Sequence, residues 1–403
     1  MLKLAWRNIW RNKGRSIITI AAVMFCVIFA VVLRSFQIGV WEHMVDDIVA
    51  KNFGYLQVHQ EGFWGEQSLE LSMDEGALAT EEWLEVPGVR SLVRRYESFA
   101  MVFKDETNRG SLVIGIEPEN ELAALRLEDD LVEGQLFTPG LDEVVVSEGL
   151  AEFLQIHVGD SLLLLSQGYR GASAYGQYHV SGIAKISSPE LNKQLIIMPL
   201  EAAQWMYNGM GMLTTVVVEL DPDANFKEVK VDLLPLMGDG LELLDWEELF
   251  PAIIQTIEAD QAGGTIFITI LYVIIVFVLL GTVIMMVSER EREFGILISI
   301  GMRKSTLAMV TVLENIMLTL GGAIVGMAIV KPVQFYFKYN PIDLTGRWGQ
   351  VVEQFDYEAK LYTTTSFIIN FNHGLIIFFI GVLVSSYAVN KIMRLDPVKS
   401  MRK

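Results

Sequence analysis

Four long apolar stretches constrain this chain more than any other feature of its sequence. They cover residues 17–40, 265–287, 306–330 and 373–390. A bilayer core of about 30 Å is crossed by roughly 20 mostly apolar residues in a helix, so each stretch is a candidate span. The first stretch follows a basic segment, but its apolar run exceeds the about 7–15 residues typical of a signal peptide. We therefore predict four transmembrane α-helices, the first of them retained.

The basic residues near the spans predict how the chain crosses the membrane. They are Lys3, Arg7, Arg11, Lys13 and Arg15 before the first span, Arg290, Arg292, Arg303 and Lys304 between the second and third, and Lys391, Arg394, Lys399, Arg402 and Lys403 after the fourth. Short cytoplasmic segments carry an excess of Lys and Arg. We therefore expect residues 1–16 (an amphipathic helix), 288–305 and 391–403 to be cytoplasmic, together with both termini. Segments 41–264 and 331–372 then lie on the other side.

Segment 41–264 is long enough to form a folded domain with its own core. Its β-rich runs begin at Gly54, Ser111, Glu143 and Leu213, and helical patterns occur near 41–50 and 75–85. We predict an α+β extracytoplasmic domain between the first and second spans. Apolar residues at helical spacing from Phe36 to Lys51 and from Leu241 to Ala262 predict that these two spans extend as helical stalks.

Composition and motifs exclude several classes of function. The formal net charge of −18 argues against nucleic acid as a partner. Cys26 is the single cysteine, so no intramolecular disulfide forms, and the five histidines show no metal-binding spacing. The chain has no GxxxxGK[ST] phosphate-binding loop and no convincing set of catalytic residues. We expect no enzyme activity, metal or cofactor in this chain.

The local motifs resemble those of one family. The connection SEREREFGILISIGMRKSTL, from Ser288 to Leu307, is similar to a cytoplasmic segment of the FtsX/MacB-like ABC transporter permease superfamily. The residues that carry this resemblance are Glu289, Arg290, Glu291, Arg292, Glu293, Phe294, Gly295 and Gly301. Glu314, Gly321, Gly322 and Gly326 match the family's third span, and Leu395-Asp396-Pro397-Val398 matches its closing stretch. Residues 133–165, with a Val-Gly-Asp turn at Gly159-Asp160, resemble the family's MacB-like extracytoplasmic core.

This resemblance implies a bacterial inner-membrane permease driven by a separate cytoplasmic ABC ATPase, which would bind ATP and magnesium. It also implies a homodimer or a heterodimer with a related permease, and a periplasmic lipoprotein carrier or adaptor. The stretch after the first span resembles lipoprotein-release permeases of the LolC/LolE kind, which favours lipoprotein release. MacB-like efflux of a small amphiphile or peptide, and FtsX-like signalling to a cell-wall hydrolase, remain open alternatives.

The resemblance and the residues together give four groups of candidate site residues. The motif residues from Glu289 to Gly301 are expected to couple to the ATPase, with Phe294, Ile296, Leu297 and Ile300 as apolar anchors, although an ordinary interfacial helix would show the same pattern. Arg34 and Glu314 are charged residues within spans, and Glu314 is too deep to reach water easily, so we expect it to be protonated, paired or facing a helix interface. Gly321, Gly322 and Gly326 permit close helix packing. Two apolar stripes face either lipid or cargo, and consist of Phe29, Leu33, Phe36 and Val40 on the first span and Phe267, Leu271, Ile274 and Val278 on the second.

Overall fold

The computed structural model describes residues 1–11, 13–46, 49, 53–117, 127–128, 130–138, 142–186, 188–344, 360–397 and 400. The chain forms two compact units. The membrane unit comprises residues 1–43, 256–345 and 360–403, and the sheet unit is built from residues 44–255. Val398, Lys399, Arg402 and Lys403 lie outside the described residues, as does much of the predicted 331–372 connection.

Long helices flank a region of short helices and strands in the described part of the chain. The helices are α1 (Leu2–Arg11), α2 (Lys13–Val45), α3 (Phe63–Glu66), α4 (Thr80–Leu84), α5 (Glu148–Leu154), α6 (Pro189–Asn192), α7 (Leu200–Met206), α8 (Phe226–Leu233), α9 (Trp246–Leu249), α10 (Pro251–Glu289), α11 (Glu291–Ser299), α12 (Lys304–Tyr339) and α13 (Phe367–Met393). The strands are β1 (Leu56–Gln60), β2 (Met73–Asp74), β3 (Val89–Lys104), β4 (Thr107–Ile116), β5 (Leu131–Gly134), β6 (Glu143–Ser147), β7 (Ser161–Gln167), β8 (Ser173–Ala184), β9 (Leu195–Pro199), β10 (Met212–Leu213), β11 (Thr215–Leu220), β12 (Leu241–Asp245), β13 (Ile342–Asp343) and β14 (Lys360–Leu361).

Four helices in the described part of the chain are long and apolar enough to cross a membrane: α2, α10, α12 and α13. Each contains one of the predicted apolar stretches and continues past it at both ends. Their shared core includes Val27 of α2, Leu279 of α10, Val330 of α12 and Ile377 of α13, all of which are buried. The predicted membrane fold with four helices is therefore confirmed.

Polar side chains also join the membrane helices in their buried interior. The Gln334 amide donates to Ser35 Oγ at 2.6 Å and to Asn370 Oδ1 at 3.1 Å, which links α12 to α2 and α13. Asn315 Nδ2 donates to Ser385 Oγ at 2.7 Å and to the Gly381 carbonyl at 2.9 Å. Because a buried amide without partners is costly, these contacts fix how the three helices are aligned.

The sheet unit is an α+β domain between α2 and α10 in the chain, as predicted. Its ten-stranded sheet has the order β12-β1-β11-β3-β4-β9-β6-β8-β5, and β7 pairs with both β3 and β8. The β-rich runs found in the sequence supply β1, β4, β6 and β11. The turn before β7 uses Gly159 at φ +93°. Asp160 in the same turn accepts the His157 N–H at 2.9 Å, which lowers the pKa of the Asp160 carboxyl.

The predicted helical stalk from Leu241 to Ala262 is wrong in its first part. Residues Leu241–Asp245 form strand β12, which pairs antiparallel with β1 at the edge of the sheet. Asp245 then begins α9 with a capping box, in which its side chain accepts backbone N–H groups and Glu248 bonds back. A short apolar run such as LELL fits both a strand and a helix. Its backbone hydrogen bonds with β1 stabilise the strand here. The long helix begins only at Pro251.

Candidate coupling site around Arg290

An ion pair inside the membrane unit joins the connection between the second and third spans to the third span itself. Arg290 Nη1 lies 2.8 Å from Glu314 Oε2. Arg290 is 7% exposed and Glu314 5% exposed. The guanidinium also lies over the Phe294 ring, 5.2 Å from its centroid. Of the three situations expected for Glu314, which were protonation, pairing or a place at a helix interface, the structure shows pairing with Arg290.

The amino-terminal helices contribute to the same cluster. Asn8 of α1 places its amide 3.5 Å from Glu314 Oε2, and Arg11 Nη2 lies 2.6 Å from Glu293 Oε2. Arg15 at the start of α2 pairs with Glu289 at the end of α10. Arg290 Nε is 3.4 Å from Glu293, so the contacts form a continuous chain of charges. We call Asn8, Arg11, Arg290, Glu293 and Glu314 the charge cluster.

Glu293 is the exposed carboxylate of the charge cluster. Desolvation raises the pKa of the Glu293 carboxyl, but the Arg11 and Arg290 guanidinium groups outweigh it, so the pKa lies below its ordinary value. The carboxylate is therefore ionised at neutral pH and both of its ion pairs are charged. Its two ion pairs link α1 to the connection after the second span.

Helix α11 separates the predicted coupling residues into an inner and an outer set. Arg290, Phe294 and Gly295 are buried against the membrane unit. The ring of Phe294 is 0% exposed, which disagrees with its expected role as an anchor on a partner's surface. Glu289, Arg292, Glu293 and Gly301 are exposed, and Glu291 is half-buried and interacts with other residues.

The outer side of α11 carries two apolar side chains. Ile296 is 47% exposed and Ile300, four residues later, is 77% exposed. Residues four apart lie on the same face of a helix. Gly301 ends the segment at φ +102°, where a side chain would be strained. Of the four predicted apolar anchors, Ile296 and Ile300 are therefore the two accessible ones.

The spaced glycines of the third span do not share one environment. A Cβ at Gly322 would lie 2.7 Å from the Val23 Cβ, and one at Gly326 would lie 2.9 Å from the Val27 Cβ. Both glycines therefore allow α12 to approach α2 closely. A Cβ at Gly321 would meet nothing within 4 Å, so this residue does not take the predicted packing role within the described chain.

Arg34 lies on the first span beside a group of hydrogen bonds between α2 and α10 that was not predicted from the sequence. Its Nη1 donates to Gln37 Oε1 at 2.7 Å. The Gln37 amide donates to the Asp260 carboxylate at 2.9 Å, and Trp41 Nε1 donates to the same carboxylate at 2.8 Å. These contacts tie α2 to α10. The sequence signal for these contacts was the spacing of Arg34, Gln37 and Trp41, which places three polar side chains on one face of the helix.

The two apolar stripes are largely accessible. Phe29, Phe267, Ile274 and Val278 are exposed, while Leu33, Phe36, Val40 and Leu271 are half-buried. Phe36 packs against Phe337 of α12, with ring centroids 5.7 Å apart. Such exposed apolar side chains are equally suited to contact lipid and acylated cargo.

No group of three or more His, Cys, Asp or Glu side chains suited to a metal ion is found among the described residues.

Comparisons with known proteins identify the two parts of the chain. The family model described as MacB-like periplasmic core domain matches residues 16–236, and the one described as FtsX-like permease C-terminal matches residues 265–397. The chain is 22% identical over 202 residues to a lipoprotein-releasing system transmembrane protein LolC from Neisseria meningitidis, covering 48% of this chain and 49% of that protein. It is 21% identical over 327 residues to a protein of the same name from Xylella fastidiosa, covering 78% of each.

Solved structures similar to the chain include the periplasmic region of MacB from Actinobacillus actinomycetemcomitans, with 13% identity, a TM-score of 0.35, and coverage of 54% of this chain and 98% of that one. The extracellular domain of the ABC-type transporter YknZ from Gram-positive bacteria gives 14% identity, a TM-score of 0.33, and coverage of 47% and 99%. The first family model alone spans more than half of the chain, and the second covers the spans that follow. The chain is an inner-membrane protein and belongs to the FtsX/MacB family of ABC transporter permeases.

Proposed function

We propose that this chain is the permease subunit of an ABC transporter that releases lipoproteins from the inner membrane towards a periplasmic carrier. The names of its LolC relatives support this cargo. A separate cytoplasmic ATPase, holding ATP and magnesium, supplies the energy, and a second permease, either identical or related, completes the transporter. The charge segregation in the sequence supports an orientation with α1, α11 and the end of α13 in the cytoplasm.

The observation that carries the proposal is the two-sided arrangement of α11. Its outer face presents Ile296 and Ile300, which suit a groove on a soluble partner. Its inner face is fixed by Arg290 to Glu314 on α12, and Arg11 of α1 holds Glu293 beside it. A displacement of α11 by the ATPase therefore moves the third span and the amino-terminal helix with it.

Substituting Ile300→Asp tests the contact with the ATPase. The charge removes an exposed apolar anchor without disturbing the buried side of α11, so we expect the ATPase to be lost, or reduced about tenfold or more, when the full chain is affinity-purified in mild detergent. Mass spectrometry of the bound proteins measures this. Ser305→Asp is the matched control, because it adds the same charge at an exposed position in the first turn of α12, where acidic residues are tolerated. Equal recovery of the ATPase with both variants contradicts the proposal.

Reconstitution tests the cargo. The complex purified with its ATPase is placed in liposomes with a labelled lipoprotein, and release into solution is measured after ATP addition in the presence of a periplasmic extract. We expect ATP-dependent release that is lost with Ile300→Asp. ATP hydrolysis without release contradicts the assignment of cargo, and export of a labelled small amphiphile in place of the lipoprotein would favour efflux.

A further inference from the structure

A cavity of about 520 Å³ lies at the end of the fourth span. Tyr387, Asn390, Lys391 and Arg394 line it from α13 and the turn after it. Their spacing places them on one helical face. The remaining wall includes Glu291 of α11, together with Asp396 and Ser400. Its size falls within the range of about 300–1,000 Å³ seen for small-molecule sites.

The cavity lies where α13 changes from apolar to polar. Phe379, Val382 and Leu383 are exposed apolar residues on this span. Tyr387, Asn390 and Lys391 follow within two turns. Tyrosine and basic residues at the end of a span are typical of the boundary between hydrocarbon and headgroups. We therefore expect the cavity to lie at the depth of lipid phosphates.

The cavity contains two cations, Lys391 and Arg394. Neither Lys391 nor Arg394 forms an ion pair with a carboxylate in the part of the chain that the structure describes. Both carboxylates in the wall, Glu291 and Asp396, interact with other residues. The cavity thus combines an ammonium and a guanidinium with a phenol, an amide, a hydroxyl and two carboxylates that have contacts of their own.

A simple role as caps of the α13 dipole does not account for these cations. Lys304 already donates to the carbonyls of Leu395 at 2.7 Å and Met393 at 3.2 Å. The Arg394 N–H bonds the Asn390 carbonyl. The carbonyls of Asn390, Ile392 and Met393 at the end of the helix therefore accept hydrogen bonds from groups other than the side chains of Lys391 and Arg394. These two side chains are left for a ligand.

We propose that this cavity binds the phosphate of an anionic phospholipid headgroup, held by Lys391 and Arg394 with Tyr387 and Asn390 as additional donors. Arginine binds a phosphate through two parallel hydrogen bonds, and lysine attracts it as a point charge. Basic pockets between membrane helices are known sites for anionic headgroups. This inference does not depend on lipoprotein release, since lipid binding is measured without transport.

Native mass spectrometry of the full chain tests the proposal, with short-chain phosphatidylglycerol as the probe and short-chain phosphatidylcholine as the zwitterionic comparison. We expect Lys391→Gln/Arg394→Gln to weaken phosphatidylglycerol binding by about tenfold or more. The charge-preserving Lys391→Arg/Arg394→Lys should retain it. Lys3→Gln/Arg7→Gln removes two exposed cations from α1 and should change binding by less than about twofold, because α1 does not line the cavity.

Inorganic phosphate distinguishes a free anion from a lipid. If phosphate displaces the lipid from the unmodified chain but not from the Gln variant, the cavity binds phosphate from either source, and the phosphate site is supported. Equal binding of phosphatidylcholine and phosphatidylglycerol overturns the proposal. Equal weakening by the cavity and α1 variants also overturns it, because the effect is then general surface charge. So does phosphatidylglycerol binding that is unchanged in the Gln variant.

Discussion

Single residues decide how α11 is held. The Arg290–Glu314 pair is almost completely buried, and removing one partner of such a pair leaves an uncompensated charge away from water. The exposed Arg11–Glu293 pair has a similar contact distance, but water and salt screen it. The two pairs should therefore differ strongly in their effect on the free energy of unfolding.

We expect Glu314→Gln to destabilise the membrane unit by about 3–5 kcal/mol, because Arg290 loses its buried ionic partner and keeps only the longer contact with the exposed Glu293. The double substitution Arg290→Met/Glu314→Leu should recover most of this loss, since it leaves no buried charge. Thermal unfolding of the full chain in detergent measures both. Arg11→Gln is the exposed comparison and should cost less than about 1 kcal/mol. A Glu314→Gln loss no larger than that of Arg11→Gln would show that the buried pair does not hold the helices together.

The sequence identified Glu314 as an unusual charge within a span but could not decide whether it is protonated, paired or at a helix interface. The depth of Glu314 within an apolar stretch follows from chain order alone. Arg290 lies 24 residues away and Asn8 lies 306 residues away, so their approach depends on how the helices pack. The same limit applies to Phe294, because a mixed helical pattern does not tell which apolar side chain faces its own chain and which faces a partner.

At the level of whole elements, glycine position along α12 determines how closely this helix meets α2. Gly322 and Gly326 are four residues apart and both face α2, whereas the adjacent Gly321 faces open space. The sequence identified all three glycines as a packing motif. It could not separate them, because the side of α12 that meets α2 is set by the tertiary fold.

Gly322→Ala and Gly321→Ala form a matched pair. At Gly322 the new methyl would lie 2.8 Å from the Ile20 carbonyl oxygen, so α2 must move and the melting temperature of the full chain should fall. At Gly321 the methyl meets nothing within 4 Å, and alanine should stabilise the helix by up to about 1 kcal/mol. Thermal unfolding in detergent compares the two. A lower melting temperature for Gly321→Ala than for Gly322→Ala would contradict this packing.

Secondary structure was predictable where a long stretch was apolar throughout or where a short strand contained several successive β-branched residues. The spans, with their uninterrupted hydropathy, and β6, with three successive valines, were identified from composition and pattern. Residues 241–245 were not, because only five residues carry the pattern and their strand conformation depends on pairing with β1. Local sequence contains no information about that partner.

For the molecule as a whole, the distribution of charge predicts the topology. The basic segments flank the spans at the ends where α1, α11 and the turn after α13 occur, and the sheet unit holds most of the acidic residues. This asymmetry is the sequence feature from which we predict the orientation of the spans.

Reporter fusions test the orientation directly. Alkaline phosphatase fused after residue 150 should be active, because the sheet unit is expected outside the cytoplasm, and green fluorescent protein at the carboxyl terminus should fluoresce in the cytoplasm. Reversing the charge of Lys3, Arg7 and Arg11 together should reduce the phosphatase signal, since these residues guide the first span. Phosphatase that is inactive after residue 150 despite normal expression would overturn the assignment of sides.

Lys304 is the first residue of α12, yet its ammonium donates to the carbonyls of Met393, the last residue of α13, and of Leu395 in the turn after it. One side chain of α12 thus anchors the turn that follows α13. That turn can therefore take its place only once α12 and α13 have packed together, which makes it a marker of their correct assembly.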